Sequence, residues 1–362
     1  MKNDMHEPER FHAEYKVIGG KLVVADVETD GKHITEVKIS GDFFLEPEEA
    51  YFDLAPALVG ASVIADNANL RQRLDAALAG YGSELAMHGF STSDIATVVR
   101  RALGSAANFT DFDWQVIRGQ VLPTQVNVAL DQVLLEEVAA GRRKPTLRFW
   151  EWDDTATVIG AFQSYVNELR PEGVEKYGVQ VVRRISGGGA MFMEGGNCIT
   201  YSMFVPPSLV AGLDYEESYV FLDQWVLAAL KSLGVEAFYK PINDISSTGG
   251  KIGGAAQKRL RDGTLLHHAT MSYDIDADKM VEVLRIGEAK ISDKGVSSAK
   301  KRVDPLRSQT GEARKDIIDV MANTFADRYG ASFDTFTADE LEKAQALVDE
   351  KFGTEKWTHR VP

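Results

Sequence analysis

The stretch from Ile242 to Asp276, INDISSTGGKIGGAAQKRLRDGTLLHHATMSYDID, limits the fold more than any other part of the chain. Two turn signals, Gly249-Gly250 and Asp262-Gly263, divide it into three strand-length segments, the pattern of an antiparallel meander. A doubly wound parallel sheet is excluded here, because parallel neighbours need crossover helices between them. Helical stretches elsewhere make the class α+β. One helix is expected from about Thr124 to Ala140, with Val126, Leu130, Val133, Leu134 and Val138 on one side and Gly141 to stop it. Strands are expected at Thr146–Trp152, Ala156–Gly160, Gly178–Ile185 and Cys198–Val205. An amphipathic helix over Tyr215–Leu233 and a short strand in VEAFYK follow.

At 362 residues the chain is long enough for two domains. Residues 1–10 read as a loose polar lead. Residues 11–105 read as a small α+β domain. Strand-like alternation runs through KLVVADVETDG and KHITEVKISGDFF, with Asp30-Gly31 as a hairpin turn. Helical spacing runs through Asn69–Leu78 and Ser91–Leu103, with Ser93-Asp94 near an N-cap and Gly104 near the end. Nothing in this domain is arranged as a catalytic cluster. Gly104 to Val116 reads as a linker, which leaves 106–362 for a second, larger domain.

Hydrophobic residues make up 44% and charged residues 26%, as in ordinary globular proteins. A formal charge of −14 argues against general binding to nucleic acid or anionic membranes, though not against a local basic site. The single cysteine, Cys198, excludes an internal disulfide framework or a cysteine-rich metal site. No apolar run approaches a membrane span, and MKNDMHEPER has no signal-like apolar core, so a cytoplasmic location is expected.

The chemistry centres on RRISGGGAMFMEGGN, Arg183 to Asn197. Three consecutive glycines pack nothing, but they let a ligand lie on the backbone with N–H groups turned towards an anion. The two preceding arginines offer charged forks for phosphate or carboxylate. The stretch is neither a P-loop nor G-x-G-x-x-G. Lys251 stands among Gly249, Gly250, Gly253, Gly254, Ala255 and Ala256, where small neighbours leave space beside a positive charge. His267 and His268 are adjacent on a strand and face opposite sides, so only one can enter a site. No G-x-S-x-G elbow or zinc-ligand spacing accompanies them. Cys198 lies in a strand-like run that suits a buried, inert thiol.

Taken in this order, RRISGGGAMFMEGGN, IND, GGKIGGAAQKR and LLHHAT resemble the catalytic domain of lipoate–protein ligases, relatives of biotin protein ligases and octanoyltransferases. TVIGAFQSYVNEL and EKWTHRVP also resemble the family, so the likeness spans Phe112 to Pro362. Residues 19–103 resemble the small accessory domain of the same ligases. In many relatives that domain follows the catalytic one or is a separate chain. The resemblance implies a biotin/lipoyl ligase-like catalytic domain with a mixed or antiparallel sheet, and a monomer. It also implies a two-step reaction. Lipoate attacks the α-phosphorus of ATP, with Mg2+, to give lipoyl-adenylate. A lysine of a carrier domain, from a 2-oxoacid dehydrogenase E2 or the glycine-cleavage H protein, then takes the acyl group.

Position by position, the resemblance implies that Lys251 contacts both acyl and phosphate groups. Arg183, Arg184, Ser186, Gly187, Gly188, Gly189, Ala190, Met191 and Asn197 would surround the adenylate. Asn243 and Asp244 would lie on the nucleotide or magnesium side. Gln163, Gly253, Ala255 and His268 would form the acyl pocket, unless His268 helps the second step. Met193-Glu194 replaces a frequent His-Asp, and Ala269 replaces a usual Gly, so neither the exact acid nor the carrier follows. Octanoyltransferase relatives place a catalytic Cys just upstream of the ND-like segment, and this chain has none there. That favours the ATP-dependent ligase over an ATP-independent octanoyl or lipoyl acyltransferase. Intact Lys251 and RRISGGG argue against a non-catalytic acyl-adenylate binding module. Carrier docking is expected on Lys258, Arg259 and Arg261 and on Lys300, Lys301 and Arg302.

Overall fold

The computed structural model describes residues 8–361 except 18, 241 and 286–304. The chain divides into two compact units, one reaching to Phe109 and including Ser208–Phe221, the other made of Thr110–Pro207 and Leu222–Pro362. No described helix is long and apolar enough to cross a membrane.

In the first unit β1 (Glu9–Lys16), β2 (Leu22–Thr29) and β3 (Ile34–Gly41) form an antiparallel sheet in chain order. Alternation puts Val23, Ala25 and Val27 inside. Helices α1 (Tyr51–Leu58), α2 (Asn67–Leu78) and α3 (Thr92–Leu103) contribute Leu54, Leu70, Leu74, Ile95, Val98 and Val99 to the same core. A short pair, β4 (Phe44–Glu46) and β5 (Ala86–His88), completes it. The Asp30-Gly31 turn forms: Asp30 Oδ1 accepts from the N–H groups of Lys32 and His33 at 2.8 and 2.7 Å. The loose lead expected over 1–10 is corrected at its end. Glu9 and Arg10 already pair with Thr29 and Glu28, because β2 offers them a free ladder edge; residues 1–7 lie outside the described ones. Helix α3 is capped by Ser91, slightly earlier than expected, in a capping box with Asp94.

Ser208–Phe221, distant in sequence, also belongs to this unit. The Thr97 hydroxyl donates to Glu217 at 2.6 Å. Arg101, almost wholly buried, donates to the carbonyls of Leu209, Ala211 and Ala107 at 3.1, 3.2 and 2.9 Å. Burial pushes its guanidinium down to about 10.

The second unit holds β6 (Gln115–Ile117), α4 (Thr124–Ala139), β7 (Thr146–Phe149), β8 (Thr155–Ile159), β9 (Gln180–Arg183), β10 (Met191–Glu194) and β11 (Cys198–Val205). β12 (Phe238–Lys240), β13 (Asp244–Ser246), β14 (Lys251–Arg259), β15 (Leu265–Ser272) and β16 (Ser332–Asp334) follow. The main sheet runs β12-β13-β14-β15-β11-β7-β6-β16, and β10-β8-β9 form a second. Pairing is antiparallel except for β6–β7, β6–β16 and β8–β9. The class is α+β with a mixed sheet, and the β13–β14–β15 meander forms as its turns require. The helix expected over Tyr215–Leu233 is interrupted at Asp223 into Tyr215–Leu222 and Gln224–Ser232. Asp223 is buried, where it accepts from Tyr201 and Tyr239 hydroxyls.

Candidate functional site

A cavity of about 110 Å³ lies in the second unit over β11, β14 and β15. Gly254, Ala255, Ala256 and Ala269 keep its sheet side thin, Gly189, Ala190 and Met191 form one wall, and Asn243 and Lys251 also line it. Larger side chains would fill the space, so the run of small residues on β14 is what leaves room for a ligand. Lys251 Nζ meets Asp244 Oδ1 at 2.7 Å, with the lysine side chain 44% exposed. A Cβ on Gly254 would come within 3.0 Å of that Nζ, so glycine is what lets the lysine lie across the strand.

The glycine-rich loop is held from behind by Arg184. Its Nε donates to Ser186 Oγ at 2.9 Å, Nη1 to the Val158 carbonyl at 3.1 Å, and Nη2 to the carbonyls of Gly187 and Gly189 at 2.6 and 2.9 Å. Gly188 takes φ 89°, and its carbonyl presses so close to Gly160 that a Cβ there would stand 2.2 Å away. Around Gly189 a Cβ would meet nothing within 4 Å. The loop is therefore rigid on its inner side and open at Gly189, with the Arg184 charge at the cavity wall.

Beneath the loop runs a buried hydrogen-bonded chain. Arg148, on β7, donates to Asp131 Oδ1 at 2.7 Å and to the Asn127 carbonyl at 2.5 Å. Asp131, on α4, accepts from His268 Nδ1 at 2.7 Å, and His268 Nε2 meets Ser186 Oγ at 2.7 Å. An ionised carboxylate only accepts, so Nδ1 carries the imidazole proton and Ser186 O–H donates to Nε2. Burial works against ionising Asp131, but the Arg148 charge and the His268 hydrogen bond outweigh it and hold the carboxyl below its ordinary value. Burial lowers His268 in spite of the raising influence of Asp131, so the imidazole is neutral at pH 7.

Several sequence-designated positions fall elsewhere. Arg183 is not a ligand fork: it is fully buried and its donors go to the carbonyls of Gly160, Gln163, Trp357, Thr358 and Val361. With those five acceptors its fixed fork is used as an internal strut. Gln163 does not line the cavity; its Oε1 accepts from the Gly160 N–H at 2.7 Å. Asn197 lies in the turn before β11, bonded to Glu194 at 3.1 Å, and Gly253 packs against Met271. Gly187, Gly188 and Ser186 shape the loop and do not line the cavity, whereas Arg184, Gly189, Ala190, Met191, Asn243, Lys251, Ala255 and His268 do. Asp244 does not line the cavity but lies beside it, bonded to Lys251 and opposite Gly254 on β14. Among the described residues no group of three or more His, Cys, Asp and Glu gathers to hold a metal. Cys198 is buried, and burial pushes its thiol up to about 12.

Asp131 and Arg148 were missed, although each left a signal. An Asp with an Asn four residues before it stands in a mostly apolar helix, and an Arg interrupts TLRFWEW. Opposite charges inside two apolar runs are the mark of a buried pair.

The family model of the lipoyl protein ligase A/B catalytic domain matches residues 123–326. The octanoyltransferase LipM of Symbiobacterium thermophilum is 29% identical over 276 residues, 68% of this chain and 98% of that protein. A probable lipoate-protein ligase A of Mycoplasma genitalium is 30% identical over 243 residues, 67% and 70% of the respective lengths. A solved chain of a bi-partite lipoate protein ligase system, with its E2 lipoyl domain, from Thermoplasma acidophilum is similar with TM-score 0.60 and 26% identity, over 69% of this chain and 97% of that one.

Proposed function

The chain belongs to the lipoyl protein ligase A/B catalytic domain family, and from that premise we propose that it is an ATP-dependent lipoate–protein ligase. It would convert lipoate and ATP to lipoyl-adenylate and pyrophosphate, then pass the acyl group to a lysine of a lipoyl carrier domain in the cytoplasm. The observation that carries the choice within the family is the thiol. The chain has one cysteine, buried on β11 with its thiol pushed up to about 12, which leaves no cysteine fit to hold an acyl group. On this reading acyl activation comes from another leaving group, and adenylate is the one the site suits. Lys251 and the Arg184-clamped loop offer fixed positive charge and backbone where negative charge develops on phosphorus. Direct attack of a carrier lysine on the adenylate needs positioning and no protein nucleophile.

The test is pyrophosphate release with ATP and lipoate, followed by mass spectrometry of an apo lipoyl domain. Loss of one preorganised donor typically costs about a hundredfold, so Lys251→Ala should lose that much adenylation with the fold intact. Unchanged release would reject the assignment. Residues 11–105 fit an accessory domain that works with the catalytic part, as the bi-partite relative suggests. A chain of 106–362 would lose the partners of Glu217 and should adenylate poorly in the same assay.

A second reading rests on the run Ser186–His268–Asp131, whose two contacts of 2.7 Å have the order of an acyl-serine triad. Through it the chain would transfer octanoyl or lipoyl groups without ATP. Ser186 is fully buried and accepts from Arg184, which argues against a nucleophile. Transfer from an acyl thioester without ATP, lost in Ser186→Ala, would establish this alternative.

A further inference from the structure

Beside the cavity, but outside it, lies a groove of about 280 Å³ lined by Lys258, Lys351 and Arg360. The chain as a whole carries −14, so three cations in one groove run against the average. Two of them flank Trp357: Lys351 Nζ stands 4.1 Å from its ring centre and the Arg360 guanidinium 4.6 Å. Elsewhere in this unit Arg143, Arg148, Arg314 and Lys343 are each held by a carboxylate. Among the described residues Lys258, Lys351 and Arg360 have no such partner within salt-bridge distance. Lys351 donates to the neutral Gln132 at 2.6 Å. One carboxylate, Glu136, lines the groove, and it accepts from Gln132 at 2.9 Å.

Three cations that share one carboxylate leave a net positive groove, and an anionic partner relieves their mutual repulsion. At Lys351 burial lowers the ammonium most; Glu136 raises it, and the Arg360 and Lys258 charges lower it further. Phe162, 76% exposed, forms part of the same lining. An exposed aromatic flanked by charge is the usual make-up of a protein-recognition patch.

The groove is also placed for the reaction. Ala256 lines the cavity and Lys258 the groove. They stand two residues apart on the same face of β14, roughly 7 Å along the strand. Ile185 lines the groove between Arg184 at the cavity wall and Ser186 beneath the loop. Of the expected docking residues that the structure describes, Lys258 lines the groove and Arg259 and Arg261 do not. Arg259 faces the other side of the strand, Arg261 lies beyond its end, and Lys300, Lys301 and Arg302 lie outside the described residues.

We propose that this groove docks the protein that accepts the acyl group, through acidic residues surrounding the lysine it presents, with Phe162 as the apolar anchor. The inference rests on the ligase reading and adds the surface that second step uses. The test takes the full chain and the double variant Lys258→Glu/Arg360→Glu, with an apo lipoyl domain as probe. Pyrophosphate release from ATP and lipoate should be unchanged. Transfer from preformed lipoyl-adenylate should lose about tenfold or more in kcat/KM at low salt, and the gap should narrow as salt screens exposed charges. Neutralising carboxylates beside the acceptor lysine of the probe should reproduce the loss.

Transfer by the double variant at the wild-type rate at low salt would overturn the proposal. So would a loss confined to pyrophosphate release, which would make the groove a nucleotide site. If the double variant fails to fold, Lys258→Gln alone should still weaken transfer in a salt-dependent way, and no weakening overturns the idea. If the wild-type chain forms no adenylate, the ligase reading fails separately. Direct binding of the lipoyl domain, measured by fluorescence anisotropy, then decides: about tenfold weaker binding by the variant supports the surface, and equal binding rejects it.

Discussion

The two faces of β15 carry nearly the same chemistry and have different fates. His267 and His268 are neighbours, both buried, and each meets a buried aspartate at 2.7 Å. On one face His267 and Asp223 join Tyr201, Tyr239 and Gln257 in a packed polar cluster. On the other, His268 and Asp131 lead through Ser186 to a loop with open space at Gly189. A histidine–aspartate pair is therefore no sign of a site by itself. What distinguishes the second pair is a cavity beside it and a charged strut, Arg184, that couples it to the cavity wall.

Asparagine at each aspartate gives the sharpest contrast and the largest effect. Asp131→Asn leaves Arg148 as a buried charge without its carboxylate, which typically costs about 3–5 kcal/mol. Asp223→Asn removes charge from three hydrogen bonds but strands no permanent cation, so its loss in chemical denaturation should be smaller. Folded Asp131→Asn should also adenylate slowly, because an amide can donate to Nδ1 and turn the imidazole proton towards Ser186. Folded Asp223→Asn should adenylate normally. Equal catalytic loss in both would erase the distinction between the faces.

Next in size is Gly189→Ala. Its Cβ meets nothing within 4 Å in the folded chain, so stability should stay within about 0.5 kcal/mol of wild type. The methyl would stand in the space left for ligand, so KM for ATP or lipoate should rise, by about tenfold for a displaced hydrogen-bonding group. A wild-type KM would move the ligand away from this loop.

These contrasts follow a line between what periodicity can express and what it cannot. The meander was legible because turn glycines and alternation act locally, and β15 shows this in the opposite facing of its two histidines. Lys251 was legible because small neighbours in sequence are also small neighbours in space. The roles of Arg183 and Arg184 were not, since two adjacent arginines look alike until the fold supplies five carbonyls to one and a loop to the other. Ser208–Phe221 joins the first unit through side chains more than a hundred residues away in sequence, which no local pattern reveals. Asp131 sat in an apolar helix as a mismatch whose partner lay on another element.

The smallest effect concerns the proton on His268. Burial lowers its pKa from the ordinary 6.5, so as pH falls the unfolded chain takes up the proton first. The sign follows: this contribution to stability is complete above about 6.5 and is lost as pH drops towards the folded value, at no more than about 1.4 kcal/mol per pH unit. Protonation also places an N–H where Nε2 now accepts from Ser186, whose oxygen already receives the Arg184 Nε–H. The Ser186 hydroxyl must then turn its proton away while its oxygen takes both N–H groups, and a second positive charge stands beside Arg184 under the loop. Catalytic efficiency should therefore fall on the acid side with a midpoint below 6.5, while nitrogen NMR of the neutral ring should find its proton on Nδ1. A midpoint above 6.5 would mean that Asp131 outweighs burial at the ring; a proton on Nε2 would mean that Asp131 does not orient it, and the cavity face of β15 would then be no more organised for chemistry than the face that carries His267.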